Sequence, residues 1–393
     1  MGRGSRRASK KDETKSEGPV RGSRRKRNKR VNINEDEVTQ DDREEKKRCS
    51  KEGGKKVNRV RTTRSSPAVV LGKTQVTPEA MIAIDAFVSA VCAAEKCWNV
   101  FCSGVDGLRK EFAELKGYTP PDFNHNQCMA NESKNRYRDV VCLDATRVVL
   151  TLNVPPECDY IHASWVKMEG IDKVFIAAQG PLDETISDFW RMVFQEEVRT
   201  ILMLTKTVEN SKNKCAQYWP VESGAYQTYG CMFINNKKVE NDDKFIISTI
   251  EVLPEGCSNS ILVKLIQMTD WPDRGVPNSG MSVLRLLKRI LPVCRPTAAY
   301  YATRIIVHCS AGIGRTGAVI SIETSIQRLW KGIKVNVPDV LKELRAQRAS
   351  SIQTEGQYVF TYLSILYYIS AKIPKHRDAI LKFHNDYKAA MLV

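Results

Sequence analysis

The sequence predicts an α/β fold, and three stretches carry the prediction. Ile305-Ile306-Val307 is a β-branched run that leads through the Gly-rich loop His308–Gly317 into a helical pattern, with Ile320, Ile322 and Ile326 on neighbouring faces. Thr200–Thr205 (TILMLT) is an apolar run ending in polar residues, which suits a buried central strand. Residues 225–268 alternate apolar and polar, with turn signals at Asn235-Asn236 and Glu255-Gly256, and read as antiparallel strands.

The chain has 393 residues, enough for one large or two medium domains with tails. Its basic excess is uneven. Residues 1–70 hold 23 Lys and Arg against 11 Asp and Glu, a net of +12, and the remainder carries only +4. The excess is thus mostly a property of the N-terminus. The 12 cysteines sit at irregular spacings, and no apolar segment suggests secretion. These features predict free thiols in a reducing compartment rather than a disulfide scaffold. Tyr358–Ala371 is too short and too rich in Tyr, Ser and Thr to span a bilayer, so it reads as a core helix and no transmembrane segment is expected.

Residues 1–75 are rich in Arg, Lys, Ser, Gly and Glu and nearly lack aromatics. They bury too little apolar surface to offset the entropy of ordering and read as a disordered basic tail. Within it Arg24–Arg30 (RRKRNKR) fits an import signal that would take the chain into the nucleus, an anchor for anionic lipid, a weak nucleic-acid contact, or simply a solvated run. Arg6-Arg7-Ala8-Ser9 has the form of a basophilic kinase target. Gly2 is followed by Ser5, one place too early for myristoylation. Order is expected from Thr77-Pro78-Glu79, a helix start with an early Pro, through the periodic Ala-rich residues 80–102. Gly104–Gly117 predicts a second amphipathic helix with Leu108, Phe112 and Leu115 on one face, and Thr185–Phe194 another, its Phe189 and Trp190 in the core. Ile373-Pro374 breaks the last long helix before a short helix or tail.

The chemistry concentrates at Val307–Gly317, VHCSAGIGRTG. Cys309 ends the strand and Arg315 starts the helix. Gly312, Gly314 and Gly317 let the backbone curve tightly, so that amides point inward at an anion beside a helix N-terminus. The thiolate is the nucleophilic form of Cys, and a helix N-terminus with a nearby cation lowers a thiol pKa from about 8.5. Arg315 can grip two oxygens in a fork. That combination is suited to attack on phosphorus. The five His residues show no ligand spacing, so neither a metal nor another cofactor is expected.

The string VHCSAGIGRTG resembles the signature of the protein tyrosine phosphatase family, and further motifs follow in that family's order from about residue 105 to 372. The resemblance implies a highly twisted mixed β-sheet flanked by helices, with a catalytic domain over 76–373 and a short C-terminal helix or tail over 374–393. It implies a non-receptor enzyme of signalling, expected in the cytoplasm, that hydrolyses phosphotyrosine in partner proteins. Cys309 would be the nucleophile, with Ser310, Ala311, Gly312, Ile313, Gly314 and Arg315 cradling phosphate and Thr316 bonding the departing sulfur. His308 would tune the thiolate. Lys134–Val140 (KNRYRDV) places Tyr137 to stack on the substrate ring and Asp139 to hold its backbone. Glu209 would brace Arg315, and Lys214 would contact the general-acid loop. In Asp270–Pro277 (DWPDRGVP), Trp271 anchors that loop and Asp273 is its acid. Gln353 and Gln357 stand where the family positions the attacking water. Four positions depart from the family pattern: His162 stands in place of a usual Asn, Ala178 in place of Thr, and Ser350 and Ser351 in place of bulkier or more apolar residues. A catalytically weak phosphotyrosine-binding module is the alternative function. A phosphatase of lipid or Ser/Thr phosphate would want a shallower or more basic pocket, against which Tyr137 speaks.

Overall fold

The computed structural model describes residues 76–92, 104–152, 158–272, 275–290 and 304–391. The basic tail, with Arg24–Arg30 and Ser9, lies outside them, as does Asp273. The β-branched run before the Gly-rich loop becomes a central strand, β11 (Arg304–His308). It lies between β3 (Val174–Ala178) and β4 (Thr200–Met203), parallel to both. β10 (Ile261–Met268) continues the parallel set beyond β4. The wings are antiparallel. On one side stand β2 (Tyr160–Lys167) and β1 (Arg147–Val149), and on the other β9 (Phe245–Pro254), β8 (Met232–Asn241) and β7 (Tyr226–Tyr229). The described residues thus form a nine-stranded mixed sheet in the order β1-β2-β3-β11-β4-β10-β9-β8-β7. A two-stranded ladder, β5 (Val208–Glu209) and β6 (Lys212–Asn213), stands apart.

Strand alternation divides the core in two. Ile305 and Val307 pack into one apolar cluster and Ile306 into another. The first lies under the helices α1 (Pro78–Cys92), α2 (Val105–Lys116), α5 (Met281–Ile290), α6 (Gly314–Trp330), α7 (Val337–Arg345) and α8 (Glu355–Lys372). The second is closed by α4 (Ile186–Gln195), whose Phe189 and Trp190 are fully enclosed, with Trp190 Nε1 donating to the Tyr218 carbonyl at 2.7 Å. A short helix, α3 (Asn126–Ala130), precedes the Lys134–Val140 loop. α8 contains the whole Tyr358–Ala371 stretch and is buried along most of its length, as a core helix should be. No helix among the described residues is long and apolar enough to cross a membrane.

Element boundaries follow the periodicity, α6 beginning at Gly314 beside the expected Arg315, with two differences. Asn235-Asn236 is not a turn but lies inside β8, where the pairing with β9 shifts register, and the turn that opens this strand is at Gly230-Cys231. Beyond Pro374, residues Arg377–Met391 form a full helix, α9, which buries Ile380, Phe383 and Tyr387 in the first cluster. It is pinned by Lys375 and His376 to Asp85 of α1 and by Arg109 of α2 to the Ala390 carbonyl. The described cysteines are all free thiols. If α9 is part of this core, Phe383→Ala should cost about 3 to 5 kcal/mol of stability in chemical denaturation. A loss under about 1 kcal/mol would show that the core is complete without it.

Candidate active site

The loop from Cys309 to Gly314 is shaped by where its carbonyls go. A trans peptide points its C=O and the following N–H in opposite directions. The Ser310 carbonyl accepts from the Gly180 amide at 2.9 Å. The Ala311 and Gly312 carbonyls both accept from the Arg348 guanidinium at 3.1 Å. With these three oxygens drawn outward, the N–H groups of Ala311, Gly312 and Ile313 turn inward. The Gly312 amide donates to Cys309 Sγ at 3.2 Å, so the ring of donors is centred beside the thiol. Gly312 permits this path. Its φ is +71°, and a Cβ there would lie 2.0 Å from the Ala178 carbonyl oxygen of the neighbouring strand.

Arg315, in the first turn of α6, is buried. Its two terminal nitrogens donate to the two carboxylate oxygens of Glu209, each at 2.7 Å, and further bonds reach the Leu204 carbonyl at 2.8 Å and the Pro272 carbonyl at 3.3 Å. Burial opposes ionisation of Glu209. The hydrogen bonds and charge of Arg315, with the Lys206 amide and Thr205 hydroxyl, outweigh it and hold the carboxyl below its usual range.

His308 points away from Cys309 into the second cluster. Its Nδ1–H donates to the Cys309 carbonyl at 3.2 Å and its Nε2 accepts from Tyr218 at 2.8 Å. Burial pushes the ring down to about 4, so it is a neutral brace rather than a cation. Thr316 Oγ1 is buried with no hydrogen-bond partner.

Tyr137 packs against Val140, Ala311 and Ile313. Ser310 Oγ gives its only proton to the Lys214 carbonyl at 2.8 Å, so the Tyr137 hydroxyl donates to Ser310 Oγ at 2.8 Å. Asp139 is exposed beside it. Gln179 fixes this loop by accepting from the Arg136 amide at 2.9 Å and donating to the Lys134 carbonyl at 2.8 Å. Gln353 and Gln357 close the far side: a Cβ on Gly314 would meet their amide ends at 2.8 to 3.0 Å. The Gln353 backbone N–H donates to Gln357 Oε1 at 3.0 Å. Trp271 is buried against Phe360 and donates to the Gly275 carbonyl at 3.0 Å, spanning the undescribed Asp273 and Arg274.

The Cys309 loop thus gathers inward amides and a thiol next to a helix that opens with a braced guanidinium, with a tyrosine packed on the loop. A protein-tyrosine phosphatase family model matches residues 131–367. The chain belongs to the protein-tyrosine phosphatase family. It is 40% identical over 264 residues to the Tyrosine-protein phosphatase Lar-like of Caenorhabditis elegans, covering 66% of this chain and 12% of that protein. To Tyrosine-protein phosphatase non-receptor type 9 of Rattus norvegicus it is 35% identical over 271 residues, 66% of this chain and 46% of that one. Receptor-type tyrosine-protein phosphatase alpha of Homo sapiens is 37% identical over 247 residues, 60% and 29% of the two chains. The chain spans less than half the length of these relatives.

Within this phosphatase-family domain, sequence reasoning passed over Arg348, Gln179 and Tyr218. Each holds a loop of the site through backbone groups or a neighbouring ring. Ser351 is buried and donates to the Arg348 carbonyl, so it belongs under the rim. Ser350 is the exposed residue there, at a φ of +58°. Cys215 is a buried thiol, pushed up to about 12 by burial.

Because the folded Glu209 value lies below the unfolded one, its pairing stabilises the chain above the ordinary carboxylate pKa of about 4.3, and the contribution is lost as pH falls through the folded value. Glu209→Gln should therefore cost about 3 kcal/mol near neutral pH, with the gap to wild type closing as denaturation is repeated below about pH 4. A gap that does not change with pH would contradict the pairing.

Proposed function

We propose that the chain hydrolyses phosphotyrosine in proteins through a phosphocysteine intermediate, with residues 76–373 as the catalytic domain. The observation that carries the proposal is the set of inward amides at Cys309 Sγ, together with the Arg315–Glu209 pair in the helix that the loop opens. A phosphate dianion set on this loop meets the Ala311, Gly312 and Ile313 amides, with Ser310 and Gly314 completing the loop, and the positive charge of Arg315, whose terminal N–H groups are held by Glu209 and the Leu204 and Pro272 carbonyls. Charge developing on its oxygens is stabilised without reorganisation. The Cys309 thiolate attacks phosphorus in line, and the P–O bond to the phenol breaks as P–S forms. Asp273 protonates the leaving phenolate. It then takes a proton from a water that Gln353 and Gln357 orient, and that water's oxygen displaces Cys309 from phosphorus. The unpartnered Thr316 hydroxyl is available to bond the departing sulfur.

Tyr137 makes the pocket deep, which favours a long aryl phosphate over phosphoserine, and Asp139 is exposed where it can hold the substrate backbone. Trp271 serves as the anchor of the Asp273 loop and Lys214 as its contact. The role we assign this enzyme is dephosphorylation in signalling in the cytoplasm. The basic tail, through Arg24–Arg30, sets location or partners, whether an import receptor, anionic lipid or nucleic acid.

The test is phosphate release by the full chain from a phosphotyrosine peptide, a phosphoserine peptide and a phosphoinositide, each beside Cys309→Ser. Release from phosphotyrosine alone, lost by about 10⁴-fold or more in the variant, is the expected result. Binding of the phosphotyrosine peptide without release would recast the chain as a phosphotyrosine-binding module.

A further inference from the structure

His162, on β2, is where the chain departs from its family's usual Asn, and it lies between the two loops of the site. It is 2% exposed. Its Nδ1 lies 3.0 Å from an Arg348 terminal nitrogen, and its Nε2 lies 3.0 Å from the Val140 carbonyl. A guanidinium only donates, so Nδ1 must accept, and a carbonyl only accepts, so Nε2 must carry the proton. The ring is therefore neutral and held in one tautomer by its partners. Burial, and then the neighbouring Arg348 charge, push it down to about 3, which agrees.

The two partners do different work. Arg348 is the residue that draws the Ala311 and Gly312 carbonyls outward, and it has a further bond to Ser164 Oγ at 3.2 Å. Val140 closes the Lys134–Val140 loop and packs with Tyr137 on Ala311 and Ile313. One rigid imidazole thus spans from the clamp on the phosphate cradle to the end of the loop carrying the tyrosine wall. Resting on the phosphatase reading, we propose that His162 is a positioning residue that sets the depth of the phosphotyrosine pocket by fixing the Tyr137 loop relative to the Cys309 cradle. The ring touches neither substrate nor sulfur. Its two bonds are separable, because an Asn amide superposes on the Cβ–Cγ–Nδ1 half of imidazole and falls short of where Nε2 reaches.

His162→Asn keeps an acceptor for Arg348 and gives up the bond to Val140. The cradle should survive and the wall loosen. We expect kcat on a small aryl phosphate within about 2-fold of wild type, and KM for a phosphotyrosine peptide raised about 3- to 10-fold, as loss of one hydrogen bond dictates. His162→Phe gives up both bonds and leaves a buried guanidinium short of an acceptor, so kcat should fall at least about 10-fold on both substrates. Thermal unfolding of both variants reports folding, and a purely structural role would lower the midpoint without splitting kcat from KM. Peptide affinity is measured in parallel in Cys309→Ser with and without His162→Asn, where no turnover is needed. A 3- to 10-fold weakening there supports the proposal even if the wild type releases no phosphate. Unchanged affinity and KM in His162→Asn, or a fall in kcat alone, would overturn it while leaving the phosphatase reading intact.

Discussion

The constraint on which the site depends is the outward pull on the loop carbonyls. Three successive carbonyls, those of Ser310, Ala311 and Gly312, find their acceptor needs met behind the loop, by the Gly180 amide and the Arg348 guanidinium. The amides that follow have no choice but to face the thiol. An anion site made this way is already assembled before a ligand arrives, so the favourable interactions with phosphate are not spent on ordering the loop. Every buried polar group behind it must then be satisfied. That requirement explains why Arg348, fully enclosed, is surrounded by the two loop carbonyls, Ser164 and His162.

Arg315 meets the same problem from below. An unpaired buried guanidinium would be costly, and Glu209 offsets its charge with a bidentate contact. The further bond to the Pro272 carbonyl ties Arg315 to the chain one residue before Asp273. The cation thus ties the end of β4, through the Leu204 carbonyl, to the segment that leads to the acid. His308, which adjoins Cys309 in sequence, contributes no charge; it holds the Cys309 carbonyl and anchors it to Tyr218 in the second cluster.

Much of this was legible in the sequence, for identifiable reasons. The central strand showed because Ile305-Ile306-Val307 must be apolar on both sheet faces. The cradle showed because its tight backbone path demands Gly312 and its chemistry demands Cys309 and Arg315. What did not show were residues whose work is done across long separations. Arg348 reaches back to Ser164 and His162, and Gln179 reaches to Lys134 and Arg136. Their residue types are ordinary, and only folding makes them neighbours. His162 looked like a local irregularity, whereas its surroundings turn the longer ring into a bridge. The C-terminal helix was likewise easy to take for a tail, since its buried face rests on Ile380, Phe383 and Tyr387 among many charged and polar residues.

The central claim is that Cys309 carries the phosphoryl group between two in-line displacements. It is tested most directly by rapid acid quench of the full chain turning over a phosphotyrosine peptide, followed by mass spectrometry of its proteolytic fragments. The account predicts a phosphoryl group on the fragment containing Cys309, appearing within the first turnover and disappearing as substrate is exhausted. Sustained turnover with that fragment unmodified, or with the phosphoryl group on another residue, would contradict it.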